Sequence, residues 1–372
     1  MFTRSGKQRN TKGKVVTVPR IILRLFGVAA IAALVLFTIA EYRPAPMETL
    51  TPDGTSSAAL AAGDSFTVMT WNIGYGALDE TADFFMDGGS PIMKTNVEQV
   101  MWNLEGMRNE IQAIRPDILF LQEVDQDSAR SRHINEKAFF QASLEEYQST
   151  FASNYKSAFV PFPFPPIGKV DAGLLTFSRY PLDSSMRIQL PISFPWPIRT
   201  FNLKRCLDIE RIPVENSGRE LVLINLHLEA YDRGKGKTDQ TNLLRDYLYE
   251  EYDKGNYVIA GGDFNQIFSD VDSSAYPAVS KRFQPGQINV EDIGGNWQFI
   301  MDPAVPSSRL LNRPYKDADH DLFQYYLIDG FIVSDNLEVE GYHTEDLQFA
   351  WSDHNPVVMT LTIPVDGAVY GA

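Results

Sequence analysis

The sequence predicts an α/β domain of two packed sheets with helices on their outer faces, preceded by one membrane-crossing helix. Three observations carry this expectation. Short apolar runs of strand character outnumber helical stretches, and long loops join many of them. Only two segments after the N-terminus, Thr95 to Arg115 and Thr238 to Tyr252, place apolar residues at helical spacing. An uncharged run from Leu25 to Ala40 follows a lead that contains no acidic residue.

That lead carries seven basic side chains before Leu25: Arg4, Lys7, Arg9, Lys12, Lys14, Arg20 and Arg24. A bilayer core needs about 20 apolar residues in helical form. The run reaches that length if Ile21 to Leu23 join it and Arg24 snorkels to the headgroups. Residues 1–20 therefore read as a basic cytoplasmic segment and 21–42 as an uncleaved signal anchor, with everything later outside the cytoplasm. The alternative is a secreted protein whose signal is cleaved near Thr38-Ile39-Ala40. Residues 43–65, rich in Pro, Thr, Ser, Ala and Gly, lack hydrophobic periodicity and read as a linker. Residues 66–365 are long enough for one large domain, and 366–372 form a tail.

The whole chain carries a net charge of −15. With the seven N-terminal cations set aside, 26 basic residues face 48 acidic ones, a balance of −22. Nucleic-acid binders need cations to neutralise phosphates, so this balance disfavours a nucleic-acid partner. A small or membrane-borne partner fits it better. The lone cysteine, Cys206, excludes an intrachain disulfide and a Cys₂His₂ or Cys₄ zinc site.

Phe66 to Asn72 alternates apolar and polar residues as a half-buried strand does. Further strands are expected at Ile118 to Leu121, Ala172 to Phe177, Leu207 to Ile212, Leu221 to Leu226, Tyr257 to Ala260, Ile328 to Val333 and Val357 to Ile363. The proline-dense stretches Val160 to Gly168 and Pro191 to Ile198 cannot be central strands and read as loops.

Polar residues gather where the apolar runs end: Asn72 in TWNIG, Glu123 in LFLQEVD, His227 in INLHLEA, Asp263 and Asn265 in GGDFN, Asp329 in LIDGF, and Asp353 with His354 in SDHNP. Each alone has an ordinary explanation as a turn cap or a solvated charge. Together, at strand ends beside glycines and turns, they occupy the positions where α/β folds assemble their sites.

This ordered set resembles the endonuclease/exonuclease/phosphatase superfamily of metal-dependent phosphoesterases, of the sphingomyelinase or deoxyribonuclease-like type, from Phe66 to about Ile363. GGDFN, followed about 90 residues later by SDHNPV, is the specific part, and GLLTFSRYPL resembles a strand-turn segment of the family. The resemblance implies a four-layer α/β/β/α sandwich of two packed mixed sheets. It implies Mg²⁺, with Mn²⁺ as an alternative, held by Glu123 with Asn72 and Asp353 nearby. It also implies that Asp263 activates water, Asn265 holds phosphate or that water in line, and an Asp329–His354 pair stabilises charge on phosphorus. His227 would donate to phosphate or protonate the leaving group.

Arg130, Arg132, His133 and Asn135 read equally well as a phosphate-binding edge or as a solvated turn before a helix. Asp83 and Asp87 sit in a loop where a surface role competes with a second cation site. Lys235 and Lys237 are expected on a flexible glycine-containing loop. Phe162, Phe164, Phe194 and Trp196 either pack on the domain or dip into a membrane interface. The expected function is hydrolysis of a phosphodiester or phosphomonoester in a lipid headgroup or small molecule by a monomer. The competing readings are an extracytoplasmic nuclease and a non-catalytic binding domain.

Overall fold

The computed structural model describes residues 17–90, 94–232 and 235–365. The chain divides after Glu41 into two units. The first contains helix α1 (Thr17–Ile39), whose stretch Ile21–Ile39 is long and apolar enough to cross a membrane. A membrane span and a signal sequence both satisfy that test. The rest of the basic lead, residues 1–16, and the tail, 366–372, lie outside the described residues.

In the second unit the strands β1 (Met47–Thr49), β2 (Leu60–Ala61), β3 (Ser65–Asn72), β4 (Ile118–Asp125), β5 (Gln148–Val160), β6 (Gly168–Ser178), β7 (Ser184–Gln189), β8 (Cys206–Glu215), β9 (Arg219–His227) and β10 (Tyr257–Asp263) lead the order. Helices α2 (Val97–Ile114), α3 (Glu136–Ser143) and α4 (Lys235–Asp253) are interspersed among them. One sheet runs β1-β7-β8-β9-β10, then Asp329–Ser334 and Trp297–Ile300, with β2 beside β8. The other runs Glu338–Thr344, Val357–Thr362, β3, β4, β6, β5. Both mix parallel and antiparallel pairs.

Alternation along the strands builds the layers. Phe66, Val68, Ile118 and Phe120 of one sheet pack against Leu221, Leu223, Ile259 and Phe331 of the other. The opposite faces turn outward: Met69, Trp71, Leu119 and Leu121 bury against Val100, Leu104 and Met107 of α2. Val222, Ile224, Val258 and Ala260 bury against Leu244 and Leu248 of α4. This is the expected α/β/β/α sandwich. Gly106 of α2 is required at one close approach, since a Cβ there would lie 2.2 Å from Trp351 Nε1.

The expected linker needs correction. Met47–Thr49 pairs with β7, Asp53 bridges Ser149, and Leu60 is buried in the core between the sheets. Edge pairing uses backbone groups and needs no hydrophobic period, so a Pro/Thr/Ser-rich composition conceals it. Unexpected strands β5, β7 and Glu338–Thr344 share that cause: each carries polar residues on at least one face.

A polar seam crosses the interior between the sheets. Gln122 Nε2 donates to Asn225 Oδ1 at 2.8 Å, Asn225 Nδ2 donates to Thr176 Oγ1 at 3.2 Å, and Thr176 Oγ1 donates to Asp208 Oδ2 at 2.8 Å. Glu210 accepts from Thr150 Oγ1 at 2.5 Å and from Ser185. Burial and the neighbouring Asp208 hold Glu210 well above the usual carboxylate range, and burial pushes Asp208 up to about 6. The native state therefore keeps a proton that the unfolded chain releases above its ordinary carboxylate pKa. The stability this gives is fully present below that pKa and is lost as pH rises towards the raised one, by about 1.4 kcal/mol per pH unit per proton. Glu210→Gln removes that slope. Urea unfolding at pH 5, 6 and 7 is expected to show the variant gaining on the parent at each step, and a constant difference would refute it.

Candidate active site

The inward-facing positions that are apolar through the middle of each strand become polar at one end. Asn72 ends β3, His227 ends β9 and Asp263 ends β10. Asp263 stands in register between His227 on one side and Asp329 on the other, so three polar side chains lie side by side across one sheet. Asn72 reaches from the other sheet and donates from Nδ2 to Asp263 Oδ2 at 3.1 Å.

Glu123 arrives by a different route. Leu119, Leu121 and Val124 all face outward, so one extra residue lies between Leu121 and Val124. The register with β6 shifts there, and Glu123 takes φ +58. This bulge re-aims Glu123. Its Oε1 lies 3.4 Å from Asn72 Nδ2 and its Oε2 3.8 Å from Arg130 Nη1.

Asp353 and His354 lie on the loop before strand Val357–Thr362. Trp71 Nε1 donates to His354 O at 2.9 Å, and Ser352 Oγ donates to Asn72 O at 2.8 Å, which fixes that loop against β3. His354 Nδ1 is 2.8 Å from Asp329 Oδ2, and its Nε2 is 3.3 Å from Ser308 Oγ and 3.9 Å from Asp263 Oδ2. Asn265, at φ +51, donates its backbone N–H to Asp263 Oδ1 at 2.8 Å.

The electrostatics follow from burial. Burial alone would lower His354, but Asp329 and Asp353 outweigh it and push the imidazole up to about 10. Burial and the Asp329 charge push Asp263 up to about 7, against the pull of His354. Burial, with Arg205 and His354 nearby, holds His227 well below its ordinary value, which favours the neutral imidazole. Its Nε2 lies 3.4 Å from Asp263 Oδ2 and its Nδ1 has no hydrogen-bond partner. Burial and the Glu123 charge push Asp353 up to about 6 despite His354.

These groups form the floor of a cavity of roughly 550 Å³ whose walls include Phe84, Phe85, Phe162, Phe201, Tyr231 and Phe283. Six of the eight strand-end residues line this floor, and Asn72 and Asp329 stand behind them, against Asp263 and His354. The sequence of residues 69–354 matches the profile described as "Endonuclease/Exonuclease/phosphatase family". The chain belongs to this family. Its members are metal-dependent phosphoester hydrolases, and that activity class applies here. Among solved structures, it is similar to an endonuclease/exonuclease/phosphatase from Beutenbergia cavernae, with 19% identity and TM-score 0.53, covering 81% of this chain and 72% of that one. It is also similar to D. rerio TDP2 complexed with single-strand DNA product, with 15% identity and TM-score 0.51, covering 80% and 99%. An endonuclease/exonuclease/phosphatase from Bacteroides vulgatus gives 16% identity and TM-score 0.50, covering 81% and 99%. At such identities the likeness is one of fold. No curated protein matches the sequence.

Two groups in this family member suit a divalent cation. Asp263, Asp329 and His354 offer ligand atoms within 4.8 Å of one another. Glu123 and Asp353 oppose each other's charge beside the Asn72 amide, with Arg130 Nη1 no nearer to Glu123 than 3.8 Å. The second group fits a hard cation better, because His354 is already committed to Asp329 through Nδ1.

The remaining expectations divide. Arg130 belongs to the site: it pairs with Asp125 at 2.9 Å and lies 3.8 Å over the Tyr75 ring. Arg132 also lines the cavity and donates to Thr95 O, whereas His133 pairs with Asp127 at 2.6 Å and Asn135 caps α3. Asp83 and Asp87 line the cavity wall, and neither joins a three-residue metal-ligating group among the described residues. Asp87 accepts from Leu311 N at 3.1 Å. Lys235 and Lys237 lie in the first turn of α4, not on a loop, because the helix starts eight residues before Leu243, the first residue of its apolar stripe. Phe162 packs edge-on against Phe85 and Phe201, whereas Phe164 is 89% exposed and Trp196 50%. Sequence reasoning missed Arg205 and Arg309, which also line the cavity. Arg205 donates to His227 O at 3.0 Å, and Arg309 Nε and Nη1 have no hydrogen-bond partner. Neither sits at the end of an apolar run, so no local signal marks them.

Proposed function

We propose that this chain is a membrane-anchored phosphoesterase, magnesium-dependent and acting outside the cytoplasm, that hydrolyses a lipid-headgroup or small-molecule phosphate ester. The observation that carries this reading is the position of the polar floor at the bottom of an aromatic-walled cavity. Such walls suit an ester with an apolar body, and the acidic chain suits a duplex poorly. The apolar helix Ile21–Ile39 and the exposed Phe164 and Trp196 support placement at a bilayer.

Glu123, Asn72 and Asp353 would hold the cation. When bound, it supplies Lewis-acid polarisation of the phosphoryl and leaving oxygens. Asp263 is fixed by the Asn265 backbone N–H on one oxygen and by the Asn72 amide on the other. In that position it orients the attacking water and takes its proton. Asn265 keeps the phosphate or water in line. His354, held through Nδ1 by Asp329, directs Nε2 at the charge that grows on the phosphoryl oxygens. His227, neutral, serves as a hydrogen-bond donor to phosphate and not as the acid for the leaving group.

The test is a substrate panel with the full chain in detergent: sphingomyelin vesicles, inositol phosphates, plasmid and single-stranded DNA, each with Mg²⁺ and with Mn²⁺. Turnover of a lipid or small ester well above that of DNA is expected. Preferential cutting of DNA would replace this reading with the nuclease one.

A further inference from the structure

We propose that a basic annex beside the reaction floor, built by Lys237, Lys281 and Arg282, binds a second anionic group, phosphate or carboxylate, carried by the same substrate. The inference rests on the phosphoesterase reading and narrows its substrate class.

A second hollow of roughly 780 Å³ adjoins the first and shares Met86, Ala230, Tyr231 and Phe283 with it as a common wall. The chain as a whole is strongly acidic, yet among the described residues lining this hollow three cations face one carboxylate, Asp232. Asp232 Oδ2 accepts from Gly236 N at 2.6 Å.

Lys237 is the decisive residue. It is only 9% exposed, and among the described residues no carboxylate lies within 4.0 Å of its ammonium. Its stem passes Gly286, where an added Cβ would stand 3.2 Å from Lys237 Cδ. The ammonium lies 5.5 Å from the centre of the Phe283 ring. A mostly buried lysine whose ammonium has no paired anion gains from a ligand's negative charge.

Arg282 also lines the hollow. An added Cβ at Gly88, where φ is +99, would lie 3.0 Å from Arg282 Nε. The bare backbone there lets the guanidinium lie close. Arg282 and Lys281 make no ion pair among the described residues. Tyr231 and Phe283 meet edge-on at 5.9 Å between the two hollows. They form an apolar divider over which a spacer between two anions would pass.

The experiment uses the full chain in detergent with excess Mg²⁺, since the C–P bond of a phosphonate is not hydrolysed. Titration calorimetry compares alkanediol bisphosphonates of graded spacer length with alkyl monophosphonates. One spacer length is expected to bind at least about tenfold more tightly than its monophosphonate. Lys237→Met, and separately the surface pair Lys281→Ala with Arg282→Ala, should erase that advantage while monophosphonate affinity stays within about twofold. Equal affinity at every length, or an advantage that survives both variants, overturns the proposal. Inorganic phosphate that binds through these residues without any bisphosphonate advantage also overturns it, because the annex would then take a free anion. Failure of every ester to turn over with metal, beside an intact bisphosphonate advantage, would remove the phosphoesterase reading alone.

Discussion

Asp263→Asn is expected to lower kcat by about 10³-fold or more, since it removes the group that takes the proton from water. The fold should not suffer. The amide keeps the size of the carboxylate and still accepts from Asn265 N, and the removal of a charge that opposes the adjoining Asp329 offsets the acceptor lost to Asn72 Nδ2. Melting temperature is therefore expected to stay level or rise while activity falls. His354→Ala should lower kcat by about 10²- to 10³-fold through lost charge stabilisation. It differs in stability, because Asp329 would stay buried without its counter-charge, at a cost of about 3–5 kcal/mol. Thermal unfolding beside steady-state kinetics separates the two variants. Near-parental activity in either would refute its assigned role.

Removal of divalent metal is the second large effect. Chelation with EDTA is expected to abolish ester hydrolysis, and added Mg²⁺ or Mn²⁺ to restore it. In Glu123→Gln the metal concentration for half-maximal activity should rise by more than about tenfold, because the amide supplies a weaker oxygen ligand. A second readout does not depend on turnover. Metal binding to the native state raises the melting temperature of the parent by mass action, and this rise should be lost in the variant. In EDTA the variant should unfold no earlier than the parent, since Glu123 and Asp353 oppose each other when the cation is gone. A metal response equal in both proteins would remove Glu123 from the ligand set and leave the cluster of Asp263, Asp329 and His354 as its replacement.

Much of this site was legible because strand ends are legible. Asn72, His227 and Asp263 end apolar runs on the inward phase, and the Asp329–His354 pair was anticipated from the resemblance and is present at 2.8 Å. Glu123 was identified by its motif, although simple alternation would have turned it outward with Leu119 and Leu121. Only the bulge at φ +58 reverses that. Long side chains were the hardest to anticipate. Arg205 and Arg309 project to the cavity from segments with no periodic signal, and their destinations depend on tertiary packing. Short edge strands escaped for the opposite reason. Met47–Thr49 and Leu60–Ala61 contribute backbone hydrogen bonds and one buried leucine, too little for a hydrophobic pattern to reveal.

The reacting groups come from two sheets, with Asn72 and Glu123 on one and His227, Asp263 and Asp329 on the other. Greasy faces alone permit small sideways slippage with little change in contact area. Donors and acceptors in a dry interior accept a single lateral setting, because every misfit leaves a group unpaired. The chain Gln122–Asn225–Thr176–Asp208 therefore acts as a vernier between the halves. The separation of Asn72 from Asp263 is set by that alignment, which starts at Gln122, the register partner of Asn72.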